Sequence, residues 1–162
     1  MKALEISPSF IRTFYEVAQA YLNKVDYENA IKYFKKAAEL NPSVGLSYWY
    51  LGAAYFESGD MENGLKAIDD AIKYGYAFSE SDTLRLINMY VKVGDFKQIV
   101  FLYEGLVDTK PDNPQYRASL ATAYVKIGKI DEAVEQARAA AKINKEFETE
   151  ARAFVQSLGR EF

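Results

Sequence analysis

Two pairs of adjacent carboxylates, Asp69-Asp70 and Asp131-Glu132, are the residues whose type could serve acid–base work or bind a cation. Neighbours in a helix point about 100° apart, so neither pair converges on one ion or proton without a third group. The chain of 162 residues holds no histidine and no cysteine, which removes the commonest general base, the commonest metal ligand and all thiol chemistry. No glycine-rich phosphate loop, nucleophile elbow or metal-spaced cluster is present. The carboxylates read as helix-surface charges, and the sequence predicts neither catalysis nor a cofactor.

The charge pattern narrows the partners. The net charge of −3 is made of +1 up to residue 44, −3 over 45–78, −2 over 79–113 and +1 from 114 onward. Nucleic acid requires a concentrated cationic surface, and the nearest candidate, Lys32, Lys35 and Lys36, reads as a solvated helix face. The expected partner is a protein or peptide, with no nucleic acid. No run approaches the roughly 18 apolar residues of a membrane span, and the N-terminus lacks the build of a signal peptide. Direct membrane insertion is not expected. The cytoplasm is favoured, with the periplasm open if the chain belongs to a membrane protein. At 49% apolar and 27% charged residues, the composition is that of a folded domain.

The elements that position these residues follow from a period. Tyr21, Tyr55, Tyr90 and Tyr124 lie 34, 35 and 34 residues apart. Four residues later stand Val25, Gly59, Gly94 and Gly128, followed in the second and third copies by Asp60 and Asp95, and in the fourth by Lys129. A small or aliphatic residue comes next (Ala30, Gly64, Ile99, Ala133), then a bulky one (Phe34, Ile68, Tyr103), for which the last copy has only Ala137. Pro42 and Pro111 close copies one and three.

This pattern resembles the tetratricopeptide repeat, a helix–turn–helix of 34 residues marked by a bulky residue, Leu-Gly, Tyr, Ala, Phe and Pro. Tyr48, Leu51, Gly52 and Tyr55 carry its front half, and Ala30, Phe34, Ala37 and Pro42 its back half. The copies fall at 11–44, 45–78, 80–113 and 114–147. Gly64 departs from the usual alanine, Tyr76 from the closing proline, and Thr83 and Arg117 from the leading aromatic. The resemblance implies an all-α fold, a right-handed α-solenoid of four helix–turn–helix repeats in one domain over 1–162. A C-terminal capping helix over 148–162 ends it, with Phe147, Ala151, Phe154, Val155 and Leu158 on one face.

Each first helix carries two apolar stripes. In copy one, Phe14, Val17, Ala18 and Tyr21 have the spacing of one buried face. The second stripe is Tyr15, Gln19, Leu22 in copy one and Trp49, Ala53, Phe56 in copy two, continuing as Leu84, Asn88, Val91 and Ala118, Thr122, Val125. The resemblance implies that these positions face a concave groove. The partner-binding groove expected from it comprises Tyr15, Gln19, Trp49, Tyr50, Ala53, Phe56, Leu84, Arg85, Asn88 and Lys92. The alternative is that the large apolar members fill the junctions between repeats. Copies one and two would supply aromatic anchorage and copy three polar contacts. A clamp for acidic chaperone tails is disfavoured: of Tyr15, Gln19, Tyr50, Ser81 and Arg85, only Arg85 fits.

At the start, Ala3 to Pro8 aligns with Ala37 to Pro42 at the same offset, so residues 1–10 read as the tail of a truncated upstream repeat in a larger bacterial protein, the alternative being a natural start whose short helix serves as an N-terminal cap. Elsewhere, Ser79 to Asp82 has the look of a helix cap, and Gly75 of a helix terminator. The function expected is a protein-interaction module or scaffold, receiving a peptide or helix in its groove. One alternative is a regulatory or positioning domain of a membrane-embedded envelope polysaccharide enzyme, since the repeats look like those trailing O-antigen ligase-like proteins. Another is self-association through the N-terminal face, as a homo-oligomer.

Overall fold

The computed structural model describes residues 8–162, and the described part is all helical: nine α-helices and one 3-10 turn, with no strand. The helices form two compact units, divided in sequence between Ala77 and Phe78. In the first, α1 (Pro8–Asn23) pairs with α2 (Tyr27–Leu40) and α3 (Gly45–Ser58) with α4 (Met61–Lys73), while α2 also packs on α3. In the second, α5 (Glu80–Val93) pairs with α6 (Phe96–Thr109) and α7 (Pro114–Lys126) with α8 (Ile130–Ile143). There α6 also packs on α7, and α8 on α9 (Glu148–Ser157), which follows the 3-10 turn Lys145–Phe147. Most of the expected upstream remnant, residues 1–7, lies outside the described residues. Pro8, read as its closing proline, opens α1 instead, where a residue without an N–H is well placed.

Helix ends repeat as faithfully as helix faces. Asp26, Asp60 and Asp95 cap α2, α4 and α6, each accepting a backbone N–H three residues on, at 3.2 Å. Asn29 and Asn63 add a side-chain bond of 2.8 Å to the same carboxylates. In copy four Lys129 takes the place of the aspartate, and no side chain caps α8. The preceding turns require a left-handed residue, supplied by Gly59, Gly94 and Gly128; in copy one the residue is Val25, at φ 61°. A β-branched side chain is strained there. Ser79 and Asp82 form a full capping box on α5, and Gly75, at φ 71°, follows the end of α4.

The leading position of the first helix has a common use in copies two and four. Tyr48 donates its hydroxyl to the carbonyl of Pro42 at 3.2 Å. Arg117, one copy-pair later, donates Nε to the carbonyl of Pro111 at 3.0 Å and Nη1 to Gln136 at 2.9 Å. Tyrosine and arginine thus tie the start of one repeat to the proline that closes the preceding one.

In the first unit the core joins Ala18, Ala30, Phe34, Leu51, Ala54, Tyr55 and Ala67. Phe14, Val17 and Tyr21, on the predicted buried face of α1, are half-buried, and Ala18 alone is sealed. In the second unit Ala121, Val134, Ala137 and Ala141 meet Ala151 and Val155 of α9, with Phe154, Leu158 and Phe162 packed around them. α9, Glu148–Ser157, lies within the stretch 148–162 where the last helix was expected.

Candidate functional site

The first unit encloses most of its predicted groove. Trp49 is 2% exposed and lies parallel to Tyr76, ring centres 5.7 Å apart. Ala53 and Phe56 are buried as well, and a Cβ built on Gly64 would stand 2.9 Å from two ring carbons of Phe56. The expected anchors Trp49, Ala53 and Phe56 are therefore core residues. The physical reason is that α3 is apolar on every side, and such a helix is buried all round. Tyr15 is also taken up internally. It is half-buried, its hydroxyl bonds that of buried Ser47, and its ring meets Tyr50 edge-on at 5.9 Å. Burial, more than the Ser47 bond, sets its pKa, raising it above the ordinary phenol value. Tyr50 lies face to face with Phe34 at 5.5 Å. Gln19 stays exposed, donating to Asn23 at 3.2 Å.

Open apolar space lies in the second unit instead. Asn88 and Val91 of α5, Phe96 and Tyr103 of α6, and Thr122 and Lys126 of α7 surround a hollow of about 240 Å³. A second, of about 220 Å³, is walled by Ala118 and Thr122 of α7, Ala137 and Ala140 of α8, and Phe147, Glu150 and Phe154 from the 3-10 turn and α9. Thr122 lines both, so the two hollows adjoin along one face of α7. The second exists because the fourth copy has Ala137 where the other copies carry Phe34, Ile68 and Tyr103. Each is below the roughly 300 Å³ at which small-molecule pockets begin, a size suited to single side chains.

The rims carry opposite charges. Glu150 borders the Ala-lined hollow. Lys126 borders the other, its ammonium 5.9 Å from the centre of the Phe96 ring. Of the residues predicted for this unit, Asn88 lines a hollow; Lys92 is exposed, and Leu84 and Arg85 are half-buried, none of the three lining either. Ser119, Lys126, Glu150 and Phe154 are additions. Ala118, Thr122 and Lys126 follow one another at i, i+4, i+8, a spacing that would have exposed the stripe.

Several other ionisable groups have structural partners. Asp131 pairs with Arg160 at 2.9 Å and Glu132 with Lys129 at 3.6 Å. Tyr124 donates to Glu104 at 2.6 Å, and burial first, then that bond, pushes its pKa well up. Glu80 takes both Lys110 and the Tyr116 hydroxyl, which hold its carboxyl below the ordinary value. Among the described residues no group of three or more His, Cys, Asp or Glu side chains could hold a metal ion, and no helix is long and apolar enough to cross a membrane.

Paired antiparallel helices recurring every 34 or 35 residues, with side-chain-sized hollows on the first-helix face, define a helical-repeat solenoid. Sequence profiles of the tetratricopeptide repeat match residues 11–44 and 114–147, and the chain carries tetratricopeptide repeats there. Solved structures share the fold. MamA from Desulfovibrio magneticus RS-1 aligns with a TM-score of 0.67 at 18% identity, over 84% of this chain and 76% of that one. YrrB, described as a TPR protein with an unusual peptide-binding site, aligns at 0.65 and 19% identity, over 82% and 68%. A tetratricopeptide repeat protein from Parabacteroides merdae aligns at 0.68 and 15% identity, over 83% and 54%. Comparison with curated protein sequences finds no match.

Proposed function

We propose that the protein is an interaction scaffold whose second unit receives apolar side chains of a partner protein along the face shared by α5, α7 and α9. The repeats, and solved neighbours of the same build, support a protein–protein interaction or scaffold role. The observation that carries the finer reading is the pair of apolar hollows adjoining at Thr122. A segment with two apolar side chains would occupy both, a basic residue meeting Glu150 and an acidic one Lys126. YrrB, a repeat protein of the same fold, is described as having a peptide-binding site.

Thr122→Trp is the direct test, because the residue is exposed and an indole there fills the space between the hollows. Partners would be captured from the native host with the wild-type chain, and their affinity measured against this variant and a Lys36→Ala control. At least a tenfold loss, about 1.4 kcal/mol, with unchanged helical content is expected. Binding as tight as the control would refute this site.

A further inference from the structure

A third cleft in the second unit, of about 440 Å³, shares no lining residue with either hollow. It lies between the start of α5 and the length of α6, and two small residues open it. Thr83 stands where the other copies carry Phe14, Tyr48 and Arg117, and its hydroxyl turns back to the Ser79 carbonyl at 3.0 Å. Gly105 sits within α6, and a Cβ built on it meets nothing within 4 Å. Glycine at an interior helical position costs stability without any turn to justify it, so what its absence of side chain leaves is space. Leu102 and Leu106 line that space, and beside them Phe101 is 68% exposed.

The polar lining is lopsided: Glu80, Glu104 and Asp108 stand against the single cation Lys110. Lys110 is engaged with Glu80, and Glu104 accepts the Tyr124 hydroxyl. Asp108 has no ion pair among the described residues. An apolar cleft with an exposed aromatic and an excess of carboxylates complements an apolar side chain flanked by cations.

We propose that this α5–α6 cleft binds a peptide segment of a partner protein that presents an aromatic or long aliphatic side chain flanked by lysine or arginine. It stands independently of the groove on α7, since the two share no side chain.

The test uses the full chain, labelled with nitrogen-15, and the probe peptide Ac-Ala-Lys-Phe-Leu-Lys-Ala-amide. Two further probes replace both lysines by glutamate, or both apolar residues by alanine. The lysine–phenylalanine probe should shift the backbone amides of 101–109, and each altered probe should bind at least tenfold more weakly. Gly105→Leu fills the cleft from a position with free space, and Asp108→Lys reverses its charge. Each should weaken binding at least tenfold, while Thr122→Trp should leave it unchanged. Helical circular dichroism verifies that the variants fold, and Phe101→Ser, at an exposed position, serves as a second cleft variant. The proposal is overturned if no amide in 101–109 responds through the millimolar range, if the glutamate probe binds equally, or if the cleft variants bind like wild type. Peptide-free shifts of these amides with protein concentration would assign the cleft to a second copy of the chain, and would overturn it equally.

Discussion

Gly64 and Phe56 should be energetically coupled. A methyl group on Gly64 would stand 2.9 Å from Cδ2 and from Cε2 of the Phe56 ring, whereas carbon atoms pack best at about 3.5–4.0 Å. The ring is 2% exposed and has little room to retreat. Overpacking of this kind costs about 1–3 kcal/mol, and replacing a helical glycine by alanine returns about 1 kcal/mol, so Gly64→Ala should destabilise the wild type by about 0–2 kcal/mol. Phe56→Ala alone should cost about 3–5 kcal/mol. In that background the new methyl enters vacated space, and Gly64→Ala should become stabilising by about 1 kcal/mol. The double-mutant cycle then gives a coupling of about 1–3 kcal/mol. Urea unfolding followed by Trp49 fluorescence reads it, since this is the only tryptophan and lies in the first unit. Phe56→Leu supplies a milder background should the alanine variant unfold. If Gly64→Ala has the same effect with and without the ring, the ring does not lie over Gly64 and the account of this core is wrong.

Two further predictions concern single positions. Val25→Gly should stabilise the first unit by about 1 kcal/mol, because glycine adopts the left-handed turn without the strain of a β-branched residue; a lower urea midpoint in the Trp49 signal would contradict the strained turn. Tyr124 gives a dependence on alkaline pH. Its folded pKa is raised by burial and by Glu104, so its contribution is complete below the ordinary tyrosine value of about 10 and is lost as pH climbs above it, where the unfolded side chain ionises first. The stability gap between wild type and Tyr124→Phe should therefore narrow from about pH 9 to about pH 11, and a gap independent of pH would count against a protected hydroxyl.

Ser79 with Asp82 and Gly75 were legible as helix ends because each rests on a local requirement. The aspartates that cap α2, α4 and α6 act just as locally, but the repeat pattern marked Asp60 and Asp95 only as recurring positions. The groove was less legible. Trp49, Ala53 and Phe56 have the same spacing as Asn88 and Val91, and spacing cannot distinguish a stripe that faces solvent from one that a neighbour covers. Gly64, read as a departure from alanine, was the clue to Phe56: a missing methyl in the second helix marks where a ring from the first helix lies. The open hollow likewise follows from something absent, the bulky side chain that Ala137 does not provide. A pattern search rewards residues that match, whereas cavities arise where they fail to.

The bonds from Tyr48 and Arg117 to proline carbonyls are directed at the backbone. A main-chain oxygen is offered by any residue, so the downstream partner of this joint places no demand on the chemistry of the residue it reaches. Two unlike side chains already satisfy it in this one chain. Duplication or exchange of whole repeats by recombination would preserve such a joint without compensating substitutions on the other side, and an array built this way can lengthen or shorten while its individual repeats diverge in sequence.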